Sequence, residues 1–139
     1  MNRNKIIKNL IFLVIISTLF ISGIILLVNH FSQAQQSFNY NYIYITFITL
    51  VFFGGIGVLL GLSTKDFSLS SPNKIRVDKI KLFVLGIPSL IISLTYLWVS
   101  LGWLDTFSFI RSNILNINYV ITISSIILGH TLISSIYKE

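Results

Sequence analysis

The stretch LIFLVIISTLFISGIILLV, residues 10–28, carries no charge, and only Ser17, Thr18, Ser22 and Gly23 interrupt its apolar run. About 20 helical residues cross the roughly 30 Å hydrocarbon layer of a bilayer, so this block is long enough to span one. It also exceeds the apolar core of about 7–15 residues found in a signal peptide. An uncleaved helix is therefore expected, despite the small-residue pattern Ser32-Gln33-Ala34 beyond it. Arg3, Lys5 and Lys8 precede the block.

Three further apolar blocks follow, at about 42–62, 82–104 and 114–136. Composition agrees with them. The chain of 139 residues is 54% hydrophobic and 10% charged, against about 25% charged in soluble domains. Four crossings use more than half the chain and leave short connections. The expected fold is all-α: one membrane domain, 1–139, forming an antiparallel four-transmembrane-helix bundle.

Charge placement sets the expected orientation. The amino terminus holds three basic residues, the loop 63–81 holds Lys65, Lys74, Arg76, Lys79 and Lys81, and the carboxyl terminus holds Lys138. Only Arg111 lies elsewhere. With four crossings these three regions share a side, and the positive-inside rule makes it cytoplasmic. Both termini are expected there, with the loop lysines and Arg76 meeting anionic headgroups or a partner. The net charge of +6 flanks apolar blocks instead of forming a basic stripe, which excludes a nucleic-acid partner. Tyr40, Tyr42, Tyr44, Trp103 and Tyr119 fit an outer aromatic belt, and Tyr137 an inner one. In the loop, Ser71 and Pro72 read as an N-cap and first helical position. Val77, Ile80 and Val84 continue that helix by their spacing. Pro88 is expected to kink the third helix.

Each block also carries small or polar residues at helical spacing. The second holds Thr46, Gly54, Gly57 and Gly61. The third holds Gly86, Ser89, Ser93, Tyr96 and Ser100, and the fourth Asn118, Thr122, Ser125 and Gly129. A weaker set in the first is Thr18, Ser22 and Asn29. Lipid offers no hydrophobic force between helices, so close backbone approach and interhelical hydrogen bonds must supply packing. These residues are expected to form packing seams; the alternative is a polar lining for a solute path.

No Asp, Glu, Lys or Arg lies within the four blocks. Intramembrane charges usually mark ion or proton pathways, so proton-coupled transport is disfavoured. His130 is the candidate polar functional residue, with Ser134 one turn later. His30 belongs at the opposite end of the bundle, so the two histidines do not make a metal site. The chain has no cysteine, which removes thiolate and iron–sulfur chemistry. No Gly-x-Ser-x-Gly elbow with a carboxylate base is present. Asp105 and Arg111 read as a surface ion pair. No catalytic residue, cofactor or metal is expected.

What remains is a non-enzymatic accessory, scaffolding or regulatory subunit. It would pack with other membrane proteins or with copies of itself. The alternatives are a small oligomeric channel, transporter or membrane-permeabilising protein, and a lipid-directed enzyme using His130. Richness in Ile, Asn and Lys points to the inner membrane of a bacterium with an AT-rich genome.

Overall fold

The structure, a computed structural model, describes residues 3–63, 75–103 and 114–138. The described residues are helical apart from two three-residue strands and short turns. Two of the described helices are long and apolar enough to cross a membrane.

Helix α1, Arg3–Ser37, has 35 residues, about 52 Å at 1.5 Å per residue. It starts before and ends after the apolar block 10–28. The polar residues beyond Val28 are uncharged, and Gln33, Ala34, Gln35 and Gln36 are good helix formers that continue the turns. Ala34 is buried. The helix stops at Phe38, whose backbone is left-handed at φ 54° and whose ring is 90% exposed.

Helix α2 spans Tyr42–Ser63. Asn41 caps it, its Oδ1 accepting the Tyr44 N–H at 3.1 Å, which satisfies one otherwise orphaned donor. A π-turn at Thr49–Phe53 widens its middle. There the Thr49 hydroxyl donates to the carbonyls of Ile45 (2.7 Å) and Thr46 (3.0 Å), competing with the backbone for its acceptors.

Helix α3 covers residues 79–100 in pieces. Lys79–Lys81 leads into a π-turn, Leu82–Gly86, then Ile87–Ser93 and, past a break at Leu94, Thr95–Ser100. Pro88 lacks an N–H for the turn before it, and the π-turn accommodates that loss. The kink expected at Pro88 thus takes the form of a widened turn. At the break, Ser93 and Thr95 donate to the Leu90 and Ile92 carbonyls.

Strand β1, Ile75–Val77, corrects the expectation of a helix running from Lys74 to Lys81. The helix starts instead after Asp78, whose Oδ1 accepts the Lys81 N–H at 3.0 Å. Ser71 and Pro72 lie outside the described residues, as do Lys65, Lys74, Asp105 and Arg111. Helix α4, Ile114–Ser134, ends before the expected residue 136, because strand β2, Ile136–Lys138, takes up its last residues. The strands pair antiparallel, with Ile75 opposite Lys138 and Val77 opposite Ile136. The Asp78 N–H extends the link, donating to the Ser135 carbonyl at 2.8 Å.

These contacts set the order and direction of the helices. On α1, Leu19 and Gly23 meet Gly55 and Phe52 of α2, while His30 meets Tyr44 further along; the two helices are antiparallel. Helix α2 runs parallel to α4, since Gly54, Gly57 and Gly61 meet progressively later α4 residues, from Ser125 to Ile133. The ladder holds the start of α3 against the end of α4. At the far end α3 closes on the start of α2 through Tyr96 and Tyr42. The start of α1, the ends of α2 and α4 and the start of α3 therefore share one end of the bundle.

Two measurements check this arrangement. The chain has no cysteine of its own, so the double substitution Val77→Cys with Ile136→Cys places two thiols in directly paired positions. Cα separations of about 4.5–5.5 Å in such pairs fall within disulfide reach. Oxidation is expected to give a rapid intramolecular cross-link, seen as a gel-mobility shift. Val77→Cys with Phe38→Cys should not cross-link.

Candidate functional site

The tightest packing lies where α2 crosses α4, and glycine makes it possible. A Cβ added at Gly57 would overlap the Ile126 carbonyl oxygen and stand 2.8 Å from the His130 nitrogen. At Gly129 it would overlap the Gly54 carbonyl oxygen and stand 2.9 Å from the Val58 nitrogen. At Gly61 it would meet the Ile133 Cβ at 2.8 Å. The first two obstacles are backbone atoms, which cannot rotate aside. The backbones approach closely enough for dispersion contacts along both helices. Gly54 and Gly55 are different: an added Cβ meets its nearest neighbours at only 3.7 and 4.0 Å.

The hydroxyl residues are mostly buried but hold their own helices. Ser89 donates to the Leu85 and Gly86 carbonyls, Thr122 to Asn118, Ser125 to Ile121 and Ser135 to Leu132. Thr46 and Ser93 do the same. Each bond spans three or four residues, within one helix or, for Ser135, back onto the helix end just before it. The expectation that such side chains reach across to a neighbouring helix is corrected for these residues. Their donors are spent locally, and what they contribute to the interface is small volume. Ser100 is exposed and bonds to Leu97. Gly86 faces Thr131 of α4 with room to spare.

His130 sits half-buried on α4, and its backbone forms part of the wall against Gly57 and Gly61. Ser134 donates to the Thr131 carbonyl at 3.5 Å. Among the described residues no three of His, Cys, Asp and Glu gather into a metal-binding group.

At the end of the bundle away from the ladder the side chains are aromatic. Tyr96 is 2% exposed and packs with Ile45 and Ile121, covered by Leu27, Phe31 and Tyr42. The Tyr42 ring stacks on it at 6.0 Å and 17°, and Tyr40 stacks on Tyr42 at 6.2 Å and 16°. His30 leans on Tyr44 at 5.1 Å, and Trp98 stacks on Trp103 at 5.2 Å. The Tyr96 hydroxyl, His30 Nε2 and Trp98 Nε1 are buried without a hydrogen-bond partner. The belt reading anticipated aromatic residues here, but not a continuous stack joining α2 to α3. Tyr96 fell among the small residues of α3 by spacing alone.

The basic end gathers residues distant in sequence. The strand register sets Arg76 opposite Tyr137 and Ile75 opposite Lys138, and Lys79 and Lys81 follow β1 at the start of α3. Lys8 on α1 lies at the same end, its ammonium 5.8 Å from the centre of the Phe12 ring, within cation–π range.

No family model, curated protein or solved structure matches the chain.

Two substitution series follow from this geometry. Gly57→Ala and Gly129→Ala should each destabilise the bundle by about 1–3 kcal/mol, as overpacking does, while Gly54→Ala and Gly55→Ala stay near wild type. Denaturant titration of helicity in detergent measures the difference. Tyr96→Phe removes an unpartnered buried hydroxyl, whose burial costs about 1–3 kcal/mol. It should leave stability unchanged or raise it in the same assay, whereas Tyr96→Ala should lower it.

Proposed function

We propose that the chain is a four-span membrane protein, with both termini on the cytoplasmic side, that acts as a non-enzymatic accessory, scaffolding or regulatory subunit for other membrane proteins. The observation that carries this reading is the exposure of α1. Its contacts with α2 run in a short line around Leu19, Gly23 and His30, and toward its end Leu27 and Phe31 cover the Ile45–Tyr96–Ile121 cluster. Only 6% of its most apolar window is buried, against 44% for α2. Val14, Ile21, Ile25 and Val28 are all exposed, and their spacing puts them on one long apolar face. A helix held this lightly offers a partner most of its surface.

Support for four crossings comes from two independent sources. Nine of the ten Lys and Arg residues lie in the terminal regions and the 63–81 loop, and, among the described residues, the start of α1, the ends of α2 and α4 and the start of α3 share one end of the bundle. That end is cytoplasmic under the positive-inside rule. The composition supports a bacterial inner membrane as the site. The alternative of a Ser/Thr-lined path is weakened because Thr46, Thr49, Ser89, Ser93 and Ser125 donate to carbonyls of their own helices and the α2–α4 interface is closed by backbone contact at Gly57 and Gly129.

The test is affinity purification of the tagged full chain from its native membrane in mild detergent. A stoichiometric membrane protein, or a defined homo-oligomer, is expected to accompany it. Ile21→Trp with Val28→Trp should abolish that association without changing helicity. A monodisperse monomer with no partner would contradict the proposal, and solute flux in liposomes carrying the chain alone would favour the channel reading.

A further inference from the structure

Helices α1 and α2 touch in the middle of the bundle and part toward its basic end. At Gly23 an added Cβ would stand 3.0 Å from the Phe52 Cβ and 3.2 Å from the Phe53 ring, and at Gly55 it would be 4.0 Å from Leu19. Below Leu19 the contact opens into a cleft of about 500 Å³. Phe12, Leu13 and Ile16 of α1 and Leu60 of α2 form its apolar walls, with Ser17 among the lining residues furthest from the basic end and Asn9 and Ser63 among those nearest it. A smaller hollow lined by Ile7, Lys8 and Ile11 shares Phe12 with it, and the Lys8 ammonium lies 5.8 Å from the centre of that ring.

The dimensions fit one leaflet. From Lys8 to Ser17 the helix rises about 14 Å, close to half of a hydrocarbon core of about 30 Å. The polarity fits as well: apolar along its depth, amide and hydroxyl at the rim, and a cation beyond it. Lys5 occupies the helical position one turn before Lys8 and Asn9, and no acidic residue lies between Met1 and Ser63 to oppose an anion.

We infer that this fork is a binding site for an anionic phospholipid. One acyl chain would lie between α1 and α2, and the phosphate would sit at Lys8 with the Asn9 amide beside it. The inference rests on the membrane-embedded reading above but not on the accessory role. It differs from diffuse attraction to the basic loop because it requires both a charge and an empty cleft.

The experiment is native mass spectrometry of the full chain released from nanodiscs of mixed phosphatidylglycerol and phosphatidylcholine. Selective retention of one phosphatidylglycerol is expected. Lys8→Gln should lower that retention about fivefold, the effect of one basic residue at an anionic surface. Ser17→Phe, which fills the cleft from an exposed position and leaves every charge in place, should lower it at least as much. Lys81→Gln should lower it less than Lys8→Gln does. Equal retention of both lipids, full retention by Ser17→Phe, or an equal loss with Lys81→Gln would overturn the inference. A chain that fails to enter nanodiscs at all would overturn the membrane reading with it. As a check independent of stability, a phosphatidylglycerol carrying a photoreactive acyl chain should label peptides containing residues 9–17 and 60–63; labelling spread evenly over α1 would contradict the site.

Discussion

The close approach of α2 and α4 is the constraint on which the rest of the bundle depends. Where two backbones meet at Gly57 and Gly129, the helices cannot move apart without losing dispersion contacts along several turns, and inside a bilayer no hydrophobic force compensates that loss. Because the two helices run parallel, α3 must return between them in sequence, and it does so against α4. The β1–β2 ladder fixes its start. Tyr96 secures its other end by stacking on Tyr42. Helix α1 is the exception, since it joins this frame at one side only.

Rigid and open parts of the molecule are thereby separated. In the α2–α4–α3 unit hydroxyls such as Thr49, Ser89 and Ser125 donate within their own helices, and Gly57 and Gly129 are closed by backbone. Helix α1 leaves most of its apolar surface uncovered and opens a cleft at the basic end. Exposed apolar surface runs along most of α1, and smaller faces on the other helices, such as Phe47 on α2, Phe83 and Val84 on α3 and Ile123 on α4, are exposed as well. At the far end the unpartnered Tyr96 hydroxyl and Trp98 N–H are polar atoms held by ring packing, where the area of the rings outweighs the cost of the unmet hydrogen bonds.

Long apolar blocks were legible because their signal is local: a run such as Ile43–Leu50 can hide its backbone polar groups in lipid only as a helix. The spacing of Gly57 and Gly61 was legible for the same reason. Which helix they would face was not, because the α4 residues they meet, Ile126, His130 and Ile133, lie 69 to 73 residues further along the chain. The β1–β2 pairing depends on a similarly distant match, and residues 75–77 taken alone read as part of a helix. The extension of α1 to Ser37 was missed because hydropathy falls at Asn29 while helix propensity does not. The serines were identified, but their spacing carries no information on whether a hydroxyl turns inward to its own helix or outward to another.

The most direct test of the proposed four-span topology is single-cysteine labelling in sealed cells with a membrane-impermeant maleimide. Phe38→Cys and Trp103→Cys lie at one end of the bundle, and Val77→Cys and Ile136→Cys at the other. The account predicts labelling of the first pair from outside and of the second pair only after the membrane is permeabilised. Labelling of Phe38→Cys and Val77→Cys from the same side would contradict it.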